Sequence, residues 1–239
     1  MNAVIITGGL GTRLHPLTHE NPKALVKVAG KPIVEHQIDF LRTNNINNIL
    51  LIVHYQADKV KEYFGDGKKF GVQIEYIEEP TLRGTAGWLA LATPIQTDIM
   101  VTYGDLLIKM DLQKFISYHR NLPSDNVATI VAQPKDYPLE CDHFEIDHTS
   151  RITKLLTRPH KNNVVENNLA NGSIYLLTSK VNKYIPSQEI ISFEKDIFPK
   201  IIESKQDNIY AYKTTEYCKD IGTPQRLKEV EEDYLFSRI

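Results

Sequence analysis

The apolar run Ala3-Val4-Ile5-Ile6 passes through Thr7 directly into Gly8-Gly9-Leu10-Gly11-Thr12-Arg13. A short, continuous apolar run of this kind fills a buried strand. The glycines at 8, 9 and 11 open positive φ and leave no Cβ in the way, so backbone can close against a ligand. Successive N–H groups in such a loop form a concave anion nest, and Arg13 adds a rigid fork of donors. Lys23, further along, adds a mobile point charge. Together these residues predict a polyphosphate cradle directly after a first strand. No Gly-Lys-Ser/Thr follows, so the loop is not a P-loop. Leu14 stands where a dinucleotide fingerprint needs its last glycine. Pro16 and Pro22 rule out a long helix at this point.

Periodicity beyond the loop alternates between helix and strand. Ile33, Val34, Ile38 and Leu41 share one side of a helix over Pro32–Arg42, and Ala57–Phe64 reads as a second helix. Ile49–Val53 and Ile99–Tyr103 are continuous apolar runs, Val72, Ile74 and Tyr76 alternate as a strand, and Gly84–Ala92 is small and helix-compatible. This alternation predicts an α/β fold: a Rossmann-like, mixed but mostly parallel sheet with helices on both faces. Ligands of such sheets lie outside the carboxyl ends of the strands, which puts the Gly8–Arg13 loop and the end of Ile99–Tyr103 on one edge. After about residue 125 the pattern shifts to strands, at Val127–Ala132, Phe144–Asp147, Ile152–Leu156 and Gly172–Leu177. Ser192–Ser204 and Pro224–Phe236 are the late helices, the second with Leu227, Val230, Tyr234 and Leu235 on one face.

The 239 residues, 41% hydrophobic and 24% charged, suit one globular domain. The reading is a single domain over 1–239, with a nucleotide-binding half to about 125 and a second half over about 126–239. A net charge of -2 provides no global field for nucleic acid or an anionic membrane, so an anionic substrate must be held by local cations. The 2 cysteines offer neither a disulfide framework nor a metal-ligand spacing. With no basic and apolar leader and no bilayer-spanning run, the expectation is a cytoplasmic protein. Two acidic residues stand out. Asp105 closes an apolar strand in Tyr103-Gly104-Asp105, and Asp220 opens Asp220-Ile221-Gly222-Thr223-Pro224; either also suits a turn or a helix start. The histidines share no spacing that suggests a site, and no nucleophile–base arrangement points to covalent catalysis.

The segment from Gly8 to Leu41 contains, in order, Gly-Gly-x-Gly-Thr-Arg-Leu, Pro-Leu-Thr, Pro-Lys and Lys-Pro. It resembles the signature of sugar-1-phosphate nucleotidyltransferases. The resemblance implies the nucleotidyltransferase variant of the α/β fold, with antiparallel strands extending the sheet into a sugar-binding half. It implies nucleotide contacts from Thr7, Gly8, Gly9, Leu10, Gly11, Thr12, Arg13, Lys23 and Gly104. Glu79 and the Gly84-Thr85-Ala86-Gly87 element, similar to a family Leu-Gly-Thr-Ala-Gly element, would approach the base. Arg83 stands where that element has leucine.

In the same way, Asp105 and Asp220 resemble the family's two aspartates for Mg²⁺, a hard cation suited to carboxylate and phosphate oxygens. Thr157-Arg158-Pro159 falls where the family shows Glu-Lys-Pro: Arg158 keeps the cation for the sugar phosphate, and Thr157 loses the carboxylate. Asn171, Gly172, Glu194 and Lys195 are implied near the sugar, the last two in Phe193-Glu194-Lys195-Asp196, which resembles an element of heptose- and mannose-type guanylyltransferases.

The implied reaction is attack of a sugar 1-phosphate on the α-phosphorus of an NTP, with Arg13, Lys23 and Asp105 as the catalytic set. GTP with mannose 1-phosphate or D-glycero-D-manno-heptose 1-phosphate is the first reading. Uridylyl, thymidylyl or cytidylyl transfer to another sugar phosphate or a non-sugar phosphate is the alternative, and a silent nucleotide-binding regulatory subunit is the reading from another class. The family is commonly homo-oligomeric. Its longer members add a C-terminal domain, which the length of this chain is expected to exclude.

Overall fold

The structure is a computed structural model and describes residues 1–160, 164–165 and 167–236. In chain order the strands are β1 (Asn2–Ile6), β2 (Lys27–Val28), β3 (Lys31–Pro32), β4 (Asn48–Val53), β5 (Gln73–Glu78), β6 (Ile99–Tyr103), β7 (Leu106–Lys109), β8 (Asn126–Gln133), β9 (His143–Ile146), β10 (Ile152–Leu156), β11 (Ala170–Leu177), β12 (Asn208–Lys213) and β13 (Tyr217–Asp220). The α-helices are α1 (Leu17–Glu20), α2 (Ile33–Thr43), α3 (Ala57–Phe64), α4 (Leu112–Arg120), α5 (Phe198–Ser204) and α6 (Pro224–Leu235). The chain is mixed α/β, and among the described residues no helix is long and apolar enough to cross a membrane.

Two compact units are interleaved in sequence. One comprises 1–82, 102–112 and 216–239, the other 83–101 and 113–215. The sequence reading divides the chain once, near 125; in the structure the last two dozen or so residues belong with the first eighty because β13 pairs with β7. The chain passes from one unit to the other after residues 82, 101, 112 and 215, the second time inside β6.

In the first unit β1, β4 and β5 run parallel, with Ala3 opposite Ile49 and Ile49 opposite Ile74. β1 and β4 are buried on both faces, which is why Val4 and Ile5 on the one and Leu51 and Ile52 on the other lie in apolar runs, whereas β5 alternates, with Ile74 buried between exposed Gln73 and Glu75. The expected stripe of α2 is buried in full: Ile33, Val34, Ile38 and Leu41 are 0% exposed, and Gln37 lies among them at 1%. No long helix forms near Pro16 and Pro22; the loop is followed by a 3₁₀ turn over Thr12–Leu14, the single turn α1, and another 3₁₀ turn over Lys23–Leu25. On α6 the buried positions are Arg226 and Val230. Leu235, expected on the apolar face, is 65% exposed, so that face is narrower than its hydrophobic residues suggest.

In the second unit β8 lies between β11, antiparallel, and β12, parallel, while β10, β9 and β11 continue the antiparallel part. Tyr175 on β11 packs edge-on against Phe193 and Phe198 at centroid distances of 5.4 and 5.2 Å, a geometry worth about 0.5–1.5 kcal/mol per pair beyond area burial. Gly84–Ala92 is not helical. Only a 3₁₀ turn forms, over Gly87–Ala90. Gly84 has φ of 81°, and a Cβ there would lie 2.4 Å from the Ile191 carbonyl oxygen, so backbone contact overrides local propensity. The expected helix over Ser192–Ser204 is a π-turn over Phe193–Ile197 running into α5.

Candidate functional site

The end of β1 is fixed from two sides. Thr7 donates its hydroxyl to the Ile52 carbonyl (2.6 Å) and its N–H to the same oxygen (2.8 Å), while Gly104 donates its N–H to Ile6 (2.9 Å). The Thr7 hydroxyl therefore positions the loop, leaving ligand contact to backbone. Of the three glycines that allow positive φ here, Gly8, Gly9 and Gly11, only Gly11 takes it, at 66°. Thr18, fully buried, donates to the Gly11 carbonyl (2.8 Å) and closes the loop from below. The N–H groups of Gly8, Gly9, Leu10 and Gly11 make no hydrogen bond within the described residues. Four successive donors at a strand end, beside exposed Thr12 and Arg13, suit an anion. Glu79, 3% exposed, lies beside this loop: a Cβ on Gly8 would be 3.7 Å from its Oε2.

Lys23 forms an ion pair with Asp105, the side chains being 16% and 22% exposed. The turn carrying Asp105 is held from beneath by Gln37 of α2, whose Nε2 donates to the carbonyls of Tyr103 (2.9 Å) and Leu106 (2.7 Å). Asp220 reaches the same place through the β7–β13 ribbon: it stands opposite Leu106, and the Ile221 N–H donates to the Asp105 carbonyl (2.9 Å). Its carboxylate accepts from the Gly222 N–H (2.9 Å) and from Arg226 Nη1 (2.9 and 3.2 Å). Burial alone would raise the Asp220 pKa; the Arg226 charge and hydrogen bonds, the Gly222 N–H and the Lys23 charge overcome it and hold the carboxyl below its usual range. Gly222 has no room for a side chain, since a Cβ would lie 2.5 Å from Asp220 Oδ1 and 3.0 Å from Arg13 Nη2. Arg13, Lys23, Asp105 and Asp220 thus converge within the first unit.

Thr85, Asn171 and Glu194 are joined in the second unit. Glu194, 7% exposed, accepts from Tyr175 (2.9 Å) on Oε1 and from Ser192 (2.7 Å) and Thr85 (3.0 Å) on Oε2. Asn171 Nδ2 donates to the Tyr175 hydroxyl (2.9 Å). The Gly84–Ala86 loop is stitched to the chain before the π-turn, Ile191 N–H donating to Arg83 and Ala86 N–H to Ile191, both at 2.8 Å. Ser192 accepts the Lys195 N–H, and the reciprocal bond of this cap comes from Asp196, which accepts the Ser192 N–H (2.7 Å). Gly172 follows Asn171 inside β11 and is buried. Arg83 turns to Glu189 (3.4 Å). Arg158 is exposed and pairs with Asp142 (3.4 Å), whose carbonyl accepts the Asn171 N–H (2.8 Å). Lys195 is exposed and its side chain lies outside this network.

Sequence reasoning met Thr18 only as the end of Pro-Leu-Thr, with no role, and missed Gln37, Tyr175 and Arg226. Of the three missed, Gln37 carries a readable signal: it is a polar residue inside the apolar stripe of a helix, and such residues are buried only with partners.

A family model described as nucleotidyl transferase matches residues 2–237. Mannose-1-phosphate guanylyltransferase of Mycobacterium tuberculosis is 30% identical over 227 residues, covering 94% of this chain and 62% of that protein; the chain thus spans less than two thirds of the length of this curated relative. Among solved structures, HddC from Yersinia pseudotuberculosis is 26% identical, with a TM-score of 0.79 over 98% of this chain and 99% of that one, and 0.76 in its complex with GMP-PN. A Bacillus anthracis chain 23% identical to this one shares its fold, with a TM-score of 0.83 over 97% of this chain and 94% of its own. With a match over nearly its whole length, the chain belongs to the nucleotidyl transferase family.

Proposed function

We propose that the chain transfers a nucleoside monophosphate from an NTP to a sugar 1-phosphate, releasing pyrophosphate. The observation that carries this reading is the convergence of Arg13, Lys23 and the unengaged loop N–H groups on the turn where Asp105 and Asp220 meet. Such a set of cations and backbone donors answers the charge of a triphosphate. An acceptor phosphate oxygen attacks the α-phosphorus in line, one P–O bond forming as the bond to the β-phosphate oxygen breaks. Positioning and charge stabilisation do most of the work in such transfers. Arg13 and the loop N–H groups would take the charge of the departing pyrophosphate, and Lys23 would hold the nucleotide phosphates against the acceptor.

The two carboxylates are hard oxygen donors brought together by strand pairing, which fits Mg²⁺. Among the described residues no three His, Cys, Asp or Glu side chains form a complete cage, so phosphate and water oxygens would fill the remaining positions. Bound there, Mg²⁺ supplies neutralisation of phosphate charge.

Guanine is the favoured base, because the relatives include a mannose-1-phosphate guanylyltransferase and HddC in complex with GMP-PN; mannose or D-glycero-D-manno-heptose 1-phosphate is the favoured acceptor. In the second unit, Gly84-Thr85-Ala86 would meet the base, and Asn171, Gly172 and Arg158 the sugar phosphate. Pyrophosphate release, measured with four NTPs against a panel of phosphorylated sugars and phosphocholine, tests the reading. Release with GTP and mannose or heptose 1-phosphate is expected. Release with another pair revises the substrates; NTP binding without release from any pair overturns transfer in favour of a regulatory subunit.

A further inference from the structure

Both carboxylate oxygens of Glu194 accept from hydroxyls, and it is 7% exposed. Tyr175, fully buried, occupies the middle of the chain of bonds: it donates to Glu194 and accepts from Asn171. Thr85 also faces two ways, donating to Glu194 while accepting the Phe193 N–H (2.9 Å). At the far end, the Asn171 side-chain oxygen accepts the Ser173 N–H (2.8 Å), fixing the backbone around Gly172. Ser173 has a φ of 58°, a conformation that a β-branched or bulky residue avoids and that needs local support.

We propose that Tyr175 and Glu194 are positioning residues, which tie the Gly84–Ala86 loop to the Asn171–Gly172 segment so that neither is set independently of the other. Resting on the transfer reading above, this deepens it: the base-side and sugar-side elements of the second unit share one buried polar relay, and a change at one end is felt at the other. Buried networks couple in this way because an unmet donor or acceptor costs more than the bond contributes, so removing one member unsettles its neighbours. Through Tyr175 and Asn171, Glu194 is thus linked to the segment on the sugar side.

Tyr175→Phe removes one hydroxyl and keeps the ring packed on Phe193 and Phe198. Hydrogen exchange of this variant is expected to show the amides of Phe193 and Ser173 exchanging about tenfold faster, with β8 amides unchanged. Steady-state assays with GTP and mannose 1-phosphate should show KM rising for both substrates while kcat falls less. In a cycle of Tyr175→Phe with Thr85→Val, the combined loss in kcat/KM should be smaller than the product of the single losses by about threefold or more; Thr85→Ser should restore the Phe193 protection.

Unchanged exchange at Phe193 in Tyr175→Phe, or losses that simply multiply, would overturn the relay. If β8 amides also open in Tyr175→Phe, Glu194→Gln takes its place in both measurements, with the same outcomes deciding. Lack of pyrophosphate release by the unaltered protein with any substrate pair counts against the transfer reading alone, and the exchange data then still decide the relay.

Discussion

The N–H of Ile221 donates to the carbonyl of Asp105 at 2.9 Å, so Asp220 is delivered beside Asp105 by backbone pairing and not by a side-chain contact. Strand register is a rigid way to place two carboxylates, because a slip by one residue would turn Asp220 to the other face of the ribbon. Each aspartate then has its own cation, Lys23 for Asp105 and Arg226 for Asp220.

Gly222 is the point at which this arrangement tolerates no added atom. Gly222→Ala would drive a methyl against both Asp220 Oδ1 and Arg13 Nη2. Displacement by about 1 Å of groups that position a reacting phosphate costs roughly 10²-fold in rate. We expect kcat/KM for pyrophosphate release to fall by about that factor while the thermal midpoint moves by only a few degrees. Wild-type kinetics in this variant would detach Arg13 and Asp220 from the reaction.

Gln37 holds the Asp105 turn through two carbonyls, from within a fully buried helix face. Gln37→Leu keeps the volume and removes both bonds, which should cost about 1–3 kcal/mol in urea unfolding. It should also lower kcat with little change in nucleotide KM, since it loosens a carboxylate rather than the loop. Stability equal to that of the unaltered protein would mean that the turn stands without its clamp.

Much of this was legible in the chain. The buried runs, the α2 stripe and α3 form where periodicity puts them, because apolar period and helix or strand period coincide there. β7 and β13 escaped notice: Leu106–Lys109 follows the previous strand after a two-residue turn, and Tyr217–Asp220 is a mixed tetrapeptide that becomes a strand only through its partner. The glycine-rich Gly8–Arg13 loop stood out by composition. Tyr175 and Arg226 did not, since a tyrosine in an apolar strand and an arginine in a helix first turn are ordinary until their partners, distant in sequence or across a turn, are known. The two units interleave for a similar reason: the return of the last strand to β7 is tertiary pairing that no local pattern encodes.

A pH dependence follows from Asp147, which caps the turn between β9 and β10. Its side chain accepts from the Thr149 hydroxyl (2.6 Å) and N–H (2.8 Å) and from Arg151. The Thr149 hydroxyl is the largest influence, and with the neighbouring N–H groups and Arg151 it brings the carboxyl to about 2, against a usual value of 3.8. A carboxyl depressed by folding adds stability above its unfolded pKa and loses it as pH falls through its folded one. Asp147→Asn should therefore lower the urea midpoint at neutral pH, with the two proteins converging as pH drops from 3.8 toward 2. A gap that stays constant over that window would remove the charge of Asp147 from the effect.

The two cations near Asp105 and Asp220 should separate by the step they serve. Arg13 lies over Gly222, and its fork suits the two or three oxygens of a leaving pyrophosphate. Lys23, paired with Asp105 in the free protein, is a point charge on a flexible stem and can follow phosphates that approach the turn. Arg13→Lys keeps the charge and loses the fork, so turnover should fall by 10-fold or more, on the order of one charge-assisted hydrogen bond, while acceptor KM stays within about twofold. Lys23→Met removes the charge and leaves Asp105 with an uncompensated carboxylate, which should raise KM for the nucleotide and the acceptor together as kcat falls. Initial rates with GTP and mannose 1-phosphate, each varied against the other held in excess, resolve the two patterns. The opposite assignment, Arg13→Lys changing acceptor KM and Lys23→Met changing kcat alone, would place the triphosphate on Lys23 and the attacking phosphate on Arg13.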